Sequence, residues 1–431
     1  MSTVRARVTA GPGEAFKATT IQRRDPGPRD IVIDIAYAGI CHSDVAHARS
    51  EWGHTLYPLV PGHEIAGTVS AVGAEVTKFA VGDRAGVGCL VDSCRACHAC
   101  RTGREQHCPR NVKTYNAVGR DGQPTHGGYS HQIVVDEAFA VRIPQAIPLQ
   151  NAAPLMCAGI TVYSPLRRWA AGPGKRVAIL GFGGLGHVGV QIAKALGAHT
   201  TALDLSLDKR DDGLRLGADD YRATSDADTF ADLAGTLDLI VNTVPASIDL
   251  DAYLSLLGLD GTLVNIGLSD KPLSIAPFSL ITNGRAIAGS RIGGLAETQQ
   301  MLDFCGEHGI GAEVEVIDAS QIDQAYDRVV AGDVRFRFVI DISTMLSVGR
   351  QVSGLPGGGR PAGQQLEVVG GGAGGGRGVD EQGESGVGGE LHGLEIEVQD
   401  PDDGMVESLV AGPVKPDVVG GPPGPEVLAA R

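Results

Sequence analysis

The feature that most restricts the fold is a glycine hexapeptide, Gly181-Phe182-Gly183-Gly184-Leu185-Gly186. It sits between a compact apolar run, Lys175–Leu180, and a segment of helical spacing, His187–Leu196. At a strand-to-helix junction each glycine of a G-x-G-x-x-G register has its own use. Gly181 permits a tight turn, Gly183 lets backbone approach a pyrophosphate, and Gly186 lets helix and strand pack closely. The helix start then offers unpaired N–H groups to phosphate charge. Asp204 lies near the end of the next apolar run, Thr200–Leu205. A carboxylate there accepts hydrogen bonds from the adenine ribose of NAD and repels the 2′-phosphate of NADP. Leu239–Val244 and Gly261–Gly267 read as further buried strands. Strands alternating with helices predict βαβ units and a doubly wound parallel sheet, so the chain is of the α/β class.

The part that precedes this sheet has another character. From Val4 to about Gln150, short β runs are broken by Gly, Pro and Asp. Ile31–Ala38 and Ile65–Val72 read as strands, Gly67 marking a bulge or a close backbone approach, and Ser43–Arg49 as a short helix. Helical spacing begins at Ala152–Trp169 and returns at Ala296–His308, before an extended run at Arg335–Ile342. Aromatic residues make up only 4% of the 431 residues, so both cores must rest on aliphatic side chains. Ser347–Arg431 has no aromatic residue and an excess of acid, and cannot bury enough apolar surface to offset chain entropy. It is expected to be disordered: a dispensable extension, such as translated read-through, or alternatively an acidic interaction tail.

Charge and hydropathy exclude several classes of function. The net charge of −15 argues against a nucleic-acid partner. No run of about 18 apolar residues could span a membrane. Met1–Thr20 lacks the apolar core of a secretory signal, so a cytoplasmic protein is expected. In that setting eight cysteines, four of them within Cys94–Cys108, point to metal rather than disulfides. Cys94-x2-Cys97-x2-Cys100-x7-Cys108 can wrap one Zn²⁺ in four thiolates, a closed site that braces a loop and activates no water. An iron–sulfur cluster is a rival reading. A zinc-ribbon nucleic-acid module is another, and the acidity counts against it. His98 and His107 are surplus to a four-thiolate site and are expected at the surface.

Gly39-Ile40-Cys41-His42-Ser43-Asp44, Val60-Pro61-Gly62-His63-Glu64, the four-cysteine lobe, Leu155–Pro165, Leu180–His187 and Asp333–Asp341 follow one another in this order. Together they closely resemble the zinc-containing medium-chain alcohol dehydrogenases, and within them the cinnamyl-alcohol-dehydrogenase-like branch with its bacterial NADP-dependent aldehyde reductases. The likeness runs from about Val4 to Ile342. It implies a GroES-like β-rich catalytic domain over 1–150 and 290–346, a Rossmann domain over 151–289, and no counterpart for 347–431. It implies two Zn²⁺ per chain. Cys41, His63 and Cys157 would hold the catalytic ion, with Glu64 able to approach it or to serve as a neighbouring partner. The two-thiolate, one-imidazole set with an open fourth position is the one known for alcohol dehydrogenases. Cys94, Cys97, Cys100 and Cys108 would hold the structural ion.

The resemblance also implies roles around the cofactor and substrate. Thr161, Gly267, Ser290 and Ile292 would surround the nicotinamide, and Arg337 would lie near the cofactor phosphates. Ser43 would hydrogen-bond the substrate oxygen and pass on its proton, and Trp52 would favour aromatic or bulky apolar substrates. Zinc would polarise the carbonyl of an aldehyde, or bind the corresponding primary alcohol, for hydride exchange with the nicotinamide. The branch implies NADP, with a small hydroxyl residue at the position of Asp204 and a downstream basic residue that binds the cofactor, here Lys209 with Asp208 beside it, whereas Asp204 itself favours NAD. Many relatives carry a His five residues after the first zinc-binding Cys. Here that position is Ala46, and His47 follows one residue later, rotated by about 100° on a helix. A homodimer or homotetramer is expected. The competing functions are a zinc-free quinone or enoyl reductase of the same superfamily and a non-catalytic, cofactor-sensing metal protein.

Truncation after Leu346 is expected to leave turnover and melting temperature nearly unchanged. A shift of more than about 5 °C, worth at least ~1 kcal/mol in a chain of this size, would show that the segment packs on the enzyme.

Overall fold

The computed structural model describes residues 1–269 and 271–345. The segment from Ser347 onward, expected to be disordered, lies outside them. Two sheets organise the described residues. Six parallel strands run in spatial order Asp220–Ala223, His199–Asp204, Arg176–Leu180, Leu237–Asn242, Leu257–Asn265 and Ala286–Gly289. The chain thus starts in the middle, winds to one edge, then crosses over to build the other half. This doubly wound order opens a crevice at the carboxyl ends of the two central strands. Val177, Ala178 and Ile179 are wholly buried because helices cover both faces, which is why this strand reads as an unbroken apolar run.

The second sheet has seven strands. Its central strand, Asp30–Gly39, pairs antiparallel with Ile65–Val72, Gln132–Asp136 and Arg337–Asp341. Val314–Asp318 runs parallel beside the last of these. Ile31, Ile33 and Ile35 point into an aliphatic core while Asp34 faces out, the period-2 pattern of a half-buried strand. A register irregularity between Ile35 and Tyr37 lies opposite Gly67, whose position leaves no room for a side chain. A Cβ there would stand 2.1 Å from the Asp34 carbonyl oxygen. Strand Arg337–Asp341, some 300 residues away in sequence, therefore closes the lobe that the N-terminal strands begin.

Three elements differ from the sequence expectation. The helix expected over Ala152–Trp169 is three pieces: Leu149–Ala152, a 3₁₀ turn at Ala153–Met156, and Ala158–Arg168. Pro154 cannot continue the hydrogen-bond ladder, and Cys157 takes φ −126°, ψ −66° at the break. Strand Val314–Asp318 and helix Ile322–Ala331 are not among the expected elements, although Ile322, Ala325 and Tyr326 of the helix recur at helical spacing and are buried. Both are short and largely exposed on one face. No helix among the described residues is long and apolar enough to cross a membrane.

Candidate active site

Cys41 ends the loop that follows the central strand and opens helix His42–Ala48. His63 follows Gly62, whose φ of +104° is open to glycine but strained for other residues. Cys157 sits at the helical break. The donor atoms of Cys41, His63, Glu64 and Cys157 all lie within 4.8 Å of one another, and all four residues are buried. His63 Nε2 is 3.2 Å from Cys157 Sγ. Hydrogen bonding from Cys157 and the charge of His63 hold the Cys41 thiol well below its ordinary value, while Cys157 is held well above. Two sulfurs and a nitrogen thus share protons at the point where a cation would replace them.

Among the described residues Glu64 Oε2 has no hydrogen-bond partner although it is buried. An unpaired buried carboxylate oxygen beside two sulfurs and an imidazole is the arrangement a soft divalent metal satisfies. The donors present therefore fit zinc. The other oxygen, Oε1, accepts from the Arg337 guanidinium, and both side chains are buried. Burial pushes the Glu64 carboxyl up to about 8, with Arg337 opposing that shift. Gly39 exists to make room for this carboxylate: a Cβ there would fall 2.1 Å from Oε2.

Asp44 is a site residue to which the sequence reading assigned no role. It is wholly buried and accepts from the backbone N–H of Cys41 (2.9 Å) and of Gly62 (3.1 Å). Its Oδ1 also lies 3.1 Å from His63 Nδ1, so it orients the ring and leaves Nε2 for the metal. The available signal was a capping box, an acid three residues into a helix that starts at a proposed ligand. Ser43 Oγ lies 3.6 Å from Cys41 Sγ, half-buried on the same turn.

The four cysteines of the lobe are likewise brought together, with no disulfide. Cys94 and Cys100 sulfurs are 3.8 Å apart, and those of Cys97 and Cys100 3.5 Å. A tetrahedron with Zn–S bonds of ~2.3 Å has S···S edges of about 3.8 Å. Backbone N–H groups of Ala96 and Cys97 lower the Cys94 thiol to about 5, favouring the thiolate. The lobe is tied to the chain that precedes helix Leu295–His308. Gln106 Nε2 donates to the Ile292 carbonyl and Arg291 donates to that of Gln106. Glu105 accepts from Leu295 N–H. His98 and His107 are exposed.

The glycine turn lies at the carboxyl edge of the parallel sheet. Gly181 has φ +90°, a Cβ on Gly183 would meet open space, and one on Gly186 would fall 1.9 Å from the Gly181 carbonyl oxygen. The three glycines therefore have three separate reasons. Gly267 packs on the Val244 backbone, and Ser290 hydrogen-bonds Asn265, both at the same edge. Thr161 lies in the first turn of Ala158–Arg168, bonded to the Cys157 carbonyl. Asp204 is not free. Its Oδ2 is 3.3 Å from both Lys209 Nζ and the Tyr221 hydroxyl, and Lys209 also reaches the Phe182 carbonyl. Arg337 passes beside Gly184, where a Cβ would stand 2.9 Å from its Cδ, but its guanidinium turns to Glu64. Trp52 is 45% exposed and meets the His47 ring edge-on at 5.1 Å.

Residues 27–145 match the model of the alcohol dehydrogenase GroES-like domain, and residues 184–307 that of the zinc-binding dehydrogenases. NADP-dependent alcohol dehydrogenase C of Mycobacterium bovis is 58% identical over 346 residues, which cover 80% of this chain and all of that protein. Aldehyde reductase YahK of Escherichia coli is 52% identical over 330 residues, 75% of this chain and 94% of that one. A solved cinnamyl alcohol dehydrogenase from Helicobacter pylori, complexed with NADP(H), superposes with a TM-score of 0.75 at 41% identity, covering 79% of this chain and 98% of that one.

The two metal sites are expected to fail differently. Cys97→Ser removes a ligand that contributes folding energy, so it should lower the melting temperature by on the order of 10 °C and shed one zinc. His63→Ala leaves Asp44 its two backbone donors, so the chain should stay folded while turnover falls by about a thousandfold or more. Thermal melts, elemental analysis and initial rates check this. A Cys97→Ser chain of normal stability with both ions bound would rule out the lobe assignment.

Proposed function

Since this chain belongs to the zinc-containing medium-chain alcohol dehydrogenases, we propose that it works as an NADP(H)-linked aldehyde reductase and alcohol dehydrogenase on aromatic or bulky apolar substrates. The observation that carries this reading is the buried quartet Cys41, His63, Glu64 and Cys157, joined through Arg337 to the glycine turn. Metal donors and cofactor loop share one buried side chain between them. A zinc-free reductase of the superfamily has no use for two assembled donor sets, and a cofactor sensor has no use for a metal site with Ser43 beside it.

Zinc held by Cys41, His63 and Cys157 supplies Lewis acidity toward the substrate oxygen, and the nicotinamide supplies or takes the hydride. The protein's own residues do the rest. Asp44 keeps the His63 ring in one tautomer and orientation. Ser43 Oγ sits where it can donate to the substrate oxygen or accept its proton. Arg337 holds one Glu64 oxygen and leaves the other facing the metal donors. Ile292, anchored by the four-cysteine lobe, and Thr161 and Gly267 form the nicotinamide side of the cleft.

The relatives' NADP dependence supports NADP(H) here, and Lys209 supports it locally. Its ammonium already lies against Asp204 and can meet a 2′-phosphate, offsetting a like-charge contact of roughly 1 kcal/mol in solvent. Asp204 still narrows the preference, so NADH should be used within about tenfold of NADPH. The test is kcat/KM with benzaldehyde and each cofactor on protein carrying about two zinc ions per chain. Asp204→Ser should move the ratio toward NADPH by about tenfold, and an unmoved ratio would show that Asp204 faces away from the ribose.

A homodimer fits the free edge of the parallel sheet. Among the described residues strand Ala286–Gly289 has one unpaired side, and Phe278, Ile281 and Leu259 nearby are 77%, 69% and 77% exposed. A second copy pairing edge to edge would cover them. Light scattering should give twice the chain mass, reduced to the monomer by Ile287→Pro, which breaks that edge. A wild-type monomer would sink this arrangement.

A further inference from the structure

Arg23, the last residue of strand Lys17–Arg23, is a buried cation that forms no ion pair among the described residues. Burial lowers its guanidinium to about 9, so it stays charged at neutral pH. A charge in that position is costly unless dipoles meet it. Its partners all belong to residues 126–132. Nε donates to the Gln132 carbonyl at 3.0 Å and Nη1 to that of His126 at 2.7 Å. Nη2 donates to the Gly127 carbonyl at 2.9 Å and to Ser130 Oγ at 2.8 Å.

The same segment holds the loop that carries His63. The N–H groups of Gly127, Gly128 and Tyr129 donate to the carbonyls of Val60, Gly62 and Pro61 at 2.8, 2.8 and 3.0 Å. Those are the three residues that precede His63. The His126 carbonyl and the Gly127 N–H belong to one peptide group, and the Gly127 carbonyl and the Gly128 N–H to the next. In a trans peptide these two ends point in opposite directions. Two successive peptides are therefore clamped between the guanidinium and the carbonyls before His63. The cation polarises each of them, which strengthens the N–H at its far end. The packing leaves no slack. A Cβ on Gly127 would stand 2.3 Å from the Pro61 carbonyl oxygen, and one on Gly62 2.8 Å from the Gly128 nitrogen. Gly62 N–H in turn donates to Asp44, whose Oδ1 faces His63 Nδ1.

We infer that Arg23 is a positioning residue for the metal ligand His63, acting through the peptides of residues 126–128. Its polar contacts fix the plate on which the Pro61-Gly62-His63 turn rests, and so fix where the imidazole meets Cys41 and Cys157. Lysine would not replace it, because a point charge on a flexible stem cannot bridge four acceptors as a planar fork does. The inference rests on the zinc-ligand role of His63 proposed above and is independent of the substrate class.

The test uses the zinc-loaded full chain. The ion of interest is identified by its absence from His63→Ala, and its apparent affinity is read by competition with a chelator. Arg23→Lys should weaken that affinity about tenfold, the lower end of what outer partners of a ligand contribute. Ser130→Ala removes one acceptor of the fork and keeps the charge, and should weaken it by about two- to threefold. The zinc of the four-cysteine lobe and the KM for NADPH should not change. Ile31→Ala cuts the same apolar core at the end of its strand away from Cys41, and lowers stability by a separate route. It should leave the affinity unchanged. Wild-type affinity in Arg23→Lys, or in Ser130→Ala where Arg23→Lys does not fold, overturns the inference. So does an equal loss of affinity in Ile31→Ala. A wild type that holds no ion sensitive to His63→Ala overturns the metal role of His63 as well.

Discussion

The buried contact between Glu64 and Arg337 is the interaction on which the arrangement of this molecule turns. Two ionisable groups at 0% and 6% side-chain exposure are costly to desolvate, and such a pair often adds nothing to stability over apolar packing. Its value here is positional. Arg337 begins the strand that closes the catalytic lobe, its stem lies over Gly184 in the glycine turn, and its guanidinium ends on the carboxylate beside the metal donors. Losing Glu64 would strand the buried Arg337 charge at a cost of about 3–5 kcal/mol, and losing either partner would uncouple three parts of the fold at once. Gly39 is what permits the carboxylate to sit there at all.

A second set of contacts holds the same junction from the sheet side. His187, in the helix after the glycine turn, donates from Nδ1 to the Gly183 carbonyl and accepts the Glu313 N–H at Nε2, both at 3.1 Å. Its ring stacks on Phe336 at 4.8 Å, and Phe336 meets Phe182 edge-on. The imidazole is thereby committed to two backbone partners, and burial lowers it to about 4, so it stays neutral. The glycine turn is pinned to the chain before strand Arg337–Asp341 by a side chain that carries no charge.

The four-cysteine lobe acts at a distance from the chemistry but not apart from it. Its tight wrap between strands Leu90–Asp92 and Val112–Lys113 buries little apolar surface, so a metal has to supply the rigidity that a core would otherwise give. That rigidity is delivered through Glu105 and Gln106 to residues 291–295, the chain that leads into helix Leu295–His308. The two metal sites thus divide the work: one gathers donors from three distant segments, and the other braces the chain that leads into helix Leu295–His308.

Local signals in the sequence determined a good deal. The glycine register between strand and helix specified its turn geometry, because only glycine tolerates φ near +90° and a neighbouring oxygen at 1.9 Å from a would-be Cβ. The cysteine spacing specified a closed four-thiolate loop, because ligands within fifteen residues can meet without help from the rest of the fold. The open site was another matter. Cys41, His63 and Cys157 are 116 residues apart end to end, and no spacing rule brings them together; only likeness to a family named them. Tertiary structure alone decided that Asp44 orients His63, that Arg337 turns to Glu64, and that Lys209 screens Asp204. Each of these depends on where a polar atom finds its partner once water is excluded, and that is a property of the packed chain and not of any segment of it.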